Sequence, residues 1–87
     1  MELEQPYGLD PRVSVRPEEF GALMYHFGNR RLSFLRSPDM LRVLEQLDSE
    51  PTLEGALEAA GVDRRRWPSF IEALESLEAS EMVRART

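Results

Sequence analysis

Few side chains in this chain are of the types that do chemistry. One histidine, His26, lies in the run FGALMYHFGNRRLSFL, residues 20–35, with Ser33 seven residues further on. On a hairpin the two would be diagonal neighbours on one face. A Ser–His nucleophile also needs an orienting acid and oxyanion donors, and the sequence supplies neither. His26 is therefore expected as a surface or interface side chain. There is no cysteine, which removes disulfides, thiolate nucleophiles and iron–sulfur ligation. Glu72, Glu75 and Glu78 recur every third residue, the spacing of a solvated helical stripe rather than of a metal cage. No HExxH, EF-hand or Gly-rich phosphate motif is present. The expectation is a protein with no catalytic residue, no metal and no cofactor of its own.

The charges point elsewhere. The net charge is −5, and all 11 basic residues are arginine. Such a bulk potential repels nucleic acid and anionic membranes. Guanidinium forks remain well suited to carboxylates. No apolar run approaches spanning length, and the opening MELEQPYGLDP is acidic rather than signal-like. A cytoplasmic protein with no membrane partner is the expectation.

The elements that would position these residues follow from the patterning. Eighty-seven residues make one domain. Residues 1–10 lack periodicity and read as a flexible lead-in, and residues 11–87 as a single domain. Val13 and Val15 alternate with Ser14 and Arg16 in a short strand. Gly28-Asn29 then joins two apolar strands as a two-residue hairpin loop, Gly28 supplying the positive φ. That loop pairs Tyr25 with Leu32 and Leu23 with Phe34. It puts Leu23, Tyr25, Phe27, Leu32 and Phe34 on one face, read as the core face. Ala22, Met24, His26, Arg31, Ser33 and Leu35 fall on the other, half-polar face.

Three helices follow. Ser37-Pro38 caps the first, with Met40, Leu41, Val43, Leu44 and Leu47 as its apolar stripe. Thr52 caps a second, which Gly61 ends. Phe70, Ile71, Leu74 and Leu77 mark a third that runs to Ala79, and Met82-Val83 is a short apolar tail. The predicted class is α+β and winged-helix-like: a three-stranded antiparallel sheet followed by a three-helix bundle.

That order admits a winged-helix DNA-binding regulator, but a recognition helix presents Arg, Lys, Asn or Gln. Here it would present Glu72, Glu75 and Glu78. Peptide binding is the stronger reading. An exposed strand edge is a template for another strand. If Arg31 to Arg36 form an edge, two arginines flank an apolar Leu-Ser-Phe-Leu segment that can receive an extended peptide.

The stretch RPEEFGALMYHFGNRRLSFLRSP, residues 16–38, resembles the mycofactocin biosynthesis chaperone family. Its Gly-Ala-Leu, Tyr-His and Arg-Arg-Leu-Ser-Phe-Leu groups carry the likeness, and ALEAAGV and LESLEASEMV extend it. Glu81 stands where many relatives would have glycine. The resemblance implies a non-enzymatic peptide-recognition domain similar to the pyrroloquinoline quinone biosynthesis chaperone. Such a domain holds the leader of a ribosomally made precursor and presents it to a radical S-adenosylmethionine maturase. It further implies leader binding as an added strand at Arg31, Leu32, Ser33, Phe34, Leu35 and Arg36, with Phe70, Leu74 and Leu77 opposite.

Overall fold

A computed structural model describes residues 1–86. Its order is β1 (Tyr7–Leu9), β2 (Val13–Glu18), β3 (Gly21–His26), β4 (Leu32–Leu35), α1 (Pro38–Leu47), α2 (Leu53–Ala59), a 3₁₀ turn (Arg64–Arg66), α3 (Trp67–Ala79) and β5 (Val83–Ala85). The mixed α and β character and the three helices are as expected. The order is not simply three strands and then three helices. β2, β3 and β4 form one antiparallel sheet, and β1 pairs with β5 in a second, two-stranded one.

The second sheet places structure where the sequence reading had a lead-in and a tail. Tyr7, Gly8 and Leu9 pair with Ala85, Arg84 and Val83. Upstream, the carbonyls of Gln5 and Leu3 accept from the amides of Leu53 and Glu54, satisfying donors at the start of α2. Arg86 donates to the carbonyls of Tyr7, Leu47 and Glu50, tying the end of the chain to the C-terminus of α1. Tyr7, Met82 and Val83 are buried in the core.

The helix boundaries follow local chemistry. Ser37 Oγ accepts from the Met40 amide at 3.2 Å, with Pro38 in the first turn. Thr52 Oγ1 accepts from the Gly55 amide at 3.0 Å. Gly61 closes α2 at φ 75°, and Asp63 Oδ1 accepts from the Arg65 amide to start the 3₁₀ turn. Pro68 sits in the first turn of α3, where its missing N–H costs nothing. After α3, Glu81 takes φ 65° and the Met82 amide donates to the Leu77 carbonyl. This is a left-handed helix end built without glycine.

The hairpin register is the predicted one: Ala22 pairs with Leu35, Leu23 with Phe34, Met24 with Ser33 and Tyr25 with Leu32. The faces are reversed. Met24 is 0% exposed and His26 1%, whereas Leu32 is 51% and Phe34 61% exposed. Ala22 is buried with Met24. The half-polar face is the core face, and the face expected to be core looks outward. The cause lies in β2. Val13 and Val15 pair with His26 and Met24, while Ser14 and Arg16 pair with Tyr25 and Leu23. Directly paired residues share a face, so the alternation of β2 settles which side of β3 turns inward. α1 then packs on β3 and β4 from that inner side.

Candidate functional site

The β3–β4 turn is held by side chains more than by glycine. The positive φ falls at Arg30, 62°, and not at Gly28. His26 Nδ1 accepts from the amides of Gly28 and Asn29, both at 3.0 Å. Asn29 Oδ1 accepts from the Arg31 amide at 2.9 Å, and its Nδ2 donates to the Ser80 carbonyl and to Glu81. His26 is thus a buried turn organiser and not the surface side chain the sequence suggested. Because Nδ1 accepts, Nε2 carries the proton of the neutral ring. Nε2 lies 3.8 Å from Asp10 Oδ2 and has no hydrogen-bond partner. Asp10 is itself buried and gripped by Arg12 through side chain and amide. Those bonds hold its carboxyl well below the usual aspartate range.

β4 ends the order β2-β3-β4 and is therefore a sheet edge. The His26 amide donates to the Arg31 carbonyl at 2.9 Å, marking 26–31 as an inward-bonded pair. Inward and outward positions alternate in an antiparallel ladder. The Arg31 carbonyl and the backbone groups of Ser33 and Leu35 therefore face β3, and Leu32 and Phe34 direct theirs away. Gly21 agrees with this phase: a Cβ there would collide with the Leu35 carbonyl oxygen, which points back at β3. Two residues of β4 thus offer free amides and carbonyls, and their side chains stand exposed on the outer face.

That face is apolar beyond β4. Phe20, 44% exposed, packs its ring 6.4 Å from Phe34, and Phe27, 65% exposed, sits edge-on 5.0 Å from Tyr25. Leu23 and Tyr25, half-buried, lie between. Arg30 and Arg36 are exposed beside it, and Arg31 is exposed at the start of β4, paired with His26. Among the described residues, ion pairs engage Arg12, Arg16, Arg42, Arg64, Arg65 and Arg66, and none engages Arg30, Arg31 or Arg36.

The structure brings together only part of the predicted site. Arg31 to Arg36 form one continuous edge, with Ser33 and Leu35 partly covered on the inner side. Phe70, Leu74 and Leu77 are buried in the core, and α3 packs on β5. They present no side-chain surface to a peptide in this arrangement. Phe20 and Phe27, on the adjoining outer face, were not singled out by the sequence reading. The signal that would have found them is the Ser14/Arg16 face of β2.

The arginine run before α3 is already engaged. Arg64 pairs with Glu54 and covers the Trp67 ring, Arg65 pairs with Asp63, and Arg66 pairs with Asp39 and covers Phe70. Glu72, Glu75 and Glu78 are exposed on α3. That surface opposes a phosphate backbone and gives the DNA-binding alternative no support. Among the described residues, no group of three or more His, Cys, Asp or Glu is placed to hold a metal ion, and no helix is long and apolar enough to cross a membrane.

A free strand edge beside arginines without acid partners has the chemistry that an added peptide strand requires. The sequence comparisons agree with that class. The profile of the peptide chaperone MftB family matches residues 6–84, and the chain belongs to this family. It is 42% identical over 80 residues to the peptide chaperone MftB of Mycobacterium tuberculosis (strain ATCC 25618 / H37Rv), covering 92% of this chain and 73% of the relative. It is 44% identical over 75 residues to the peptide chaperone MftB of Mycolicibacterium smegmatis (strain ATCC 700084 / mc(2)155), covering 86% and 74% respectively. These relatives are named for a non-catalytic role. No solved structure matches the chain.

Proposed function

We propose that this protein is a peptide chaperone of mycofactocin biosynthesis. It takes the leader of a ribosomally made precursor as an added strand on the free edge of β4 and presents the precursor to a radical S-adenosylmethionine maturase in the cytoplasm. The observation that carries the reading is the pair of outward amides at Leu32 and Phe34, bracketed by Arg31 and Arg36 without acid partners. The backbone groups give affinity for any extended segment, and the flanks select it. Family membership supports the peptide as ligand. Residues 11–87 carry the recognition surface, and residues 1–10 run across the core as a strap.

On this reading the leader is extended when bound, with carboxylates near Arg31 and Arg36. The maturase supplies all redox chemistry. Calorimetric titration with the synthetic leader and, separately, with the remainder of the precursor tests this. The leader alone should bind at one site with the affinity of the whole precursor. Binding confined to the remainder would overturn it.

A further inference from the structure

The β4 edge accounts for only one row of the outer face. Neighbouring strands lie about 4.8 Å apart. A peptide strand added to β4 stands beside Leu32 and Phe34. Leu23 and Tyr25, on β3, are then two strand spacings away, about 10 Å. Phe27 and Phe20 lie at the two ends of the same apolar surface, each against a ring of that face. A single bound strand leaves this second row in water. Contiguous apolar surface bordered by charge is uncommon on a protein that works alone.

A second copy of this chain is a poor cover. A two-fold contact sets a patch against its own image. Arg30 and Arg36, neither of them ion-paired, border the patch, and Glu18 on its β2 rim is already paired with Arg16. The complementary cover is apolar at its centre and carries carboxylates at its fringe. On the β2 side the face turns polar through Ser14 and the Arg16–Glu18 pair, which forms a rim.

We propose that the outer face of β3, centred on Leu23 and Tyr25 and bounded by Phe20 and Phe27, docks the enzyme that receives the peptide, through an acid-fringed apolar patch on that enzyme. The proposal rests on the peptide reading above for the identity of the partner. It assigns the two ligands to adjoining surfaces, the peptide to the β4 edge and the enzyme to the face. An enzyme seated there meets the outward side chains of the bound leader, so the peptide is delivered without first being released.

The test is a double substitution outside β4, Phe20→Ser/Phe27→Ser, at two exposed rings. Calorimetry with the synthetic leader should give an affinity within twofold of the parent. Sedimentation with the purified radical S-adenosylmethionine maturase should show complex formation weakened tenfold or more. Unchanged enzyme binding by a folded variant overturns the proposal. So does a parallel loss of leader binding, which would give the face to the peptide. A parent dimer, or parent binding to phosphatidylserine vesicles, that the substitutions abolish would also overturn it by naming another occupant. If the variant does not fold, radical footprinting of the parent decides instead. The maturase should protect Phe20 and Phe27 and the leader alone should not; the reverse pattern contradicts the assignment. A parent that fails to bind leader yet binds the enzyme through Phe20 and Phe27 upholds this docking face while refuting the peptide reading.

Discussion

The two faces of the three-stranded sheet share one backbone and divide the labour. The inner face holds Ala22, Met24 and His26, all of them buried. The outer face holds Leu23, Tyr25, Leu32 and Phe34, with Phe20 and Phe27 at its ends, a larger apolar set left in contact with water. Sheer hydrophobicity would have buried the second set. What buries the first is pairing: Val13 and Val15 on β2 can satisfy only one side of β3, and they sit opposite His26 and Met24. The apolar surplus that remains outside is where binding can take place.

Breaking the inner face should have the largest effect. Met24→Ala opens a cavity beneath α1 and should cost about 2–5 kcal/mol of stability. Phe34→Ala on the outer face should cost well under about 1 kcal/mol. Denaturant melts of the two variants check the assignment, and equal losses would undo it. His26→Ala comes next. It strips the Gly28 and Asn29 amides of their acceptor, and should destabilise by roughly 1–3 kcal/mol. Its leader affinity should also fall, because the turn sets the end of β4.

Acid should act on the inner side as well. Arg12 holds the Asp10 carboxyl below its ordinary value in the folded state. A depressed folded pKa contributes stability that is whole above the ordinary aspartate value of about 3.9 and is lost as the pH falls from there towards the lower folded value. Asp10→Asn should therefore flatten the fall of stability below about pH 4. An identical acid profile in the variant would show that the Asp10–Arg12 contact is not kept in solution.

The outer face should give smaller, binding-specific effects. Arg31→Gln and Arg36→Gln together should leave the melt unchanged and weaken leader binding several-fold, each exposed pair contributing about 0.2–1 kcal/mol. The salt dependence of binding should flatten with them. The smallest effect expected is a gain. Glu81→Gly relieves a left-handed residue of its Cβ penalty, about 1 kcal/mol, less what the Asn29 contact contributes. A melt that moves up slightly, with leader affinity unchanged, is the predicted outcome.

Much of the fold is legible in the sequence. The hairpin register, the Ser37 and Thr52 caps, the Gly61 stop and the end of α3 at Ala79 all follow from local rules. One local reading did not hold: the loop runs beyond Gly28-Asn29, and its positive φ falls at Arg30 rather than Gly28. The other differences lie in readings that depend on tertiary partners. Tyr7 to Leu9 look like a lead-in until Val83 to Ala85 pair with them across the whole chain. Phe70, Leu74 and Leu77 were expected to line a groove, and packing took them into the core. His26 looked like a surface side chain because its partners are two turn amides, and no side-chain pattern records those. The face of the hairpin was decided by Ser14 and Arg16, information present in the sequence but lying on the neighbouring strand.

A leader added as a strand would use the outward amides of β4. Phe34→Ala and Phe34→Pro both remove the ring, and only proline also removes the amide. An outward edge amide is a position where proline is tolerated in a sheet, so both variants should fold, as a circular dichroism melt will show. Calorimetry with the synthetic leader then decides. Proline should weaken binding at least about tenfold more than alanine, the order of a charge-neutral hydrogen bond lost within a strand pairing. A folded Phe34→Pro protein that binds the leader as tightly as Phe34→Ala would contradict strand addition at β4.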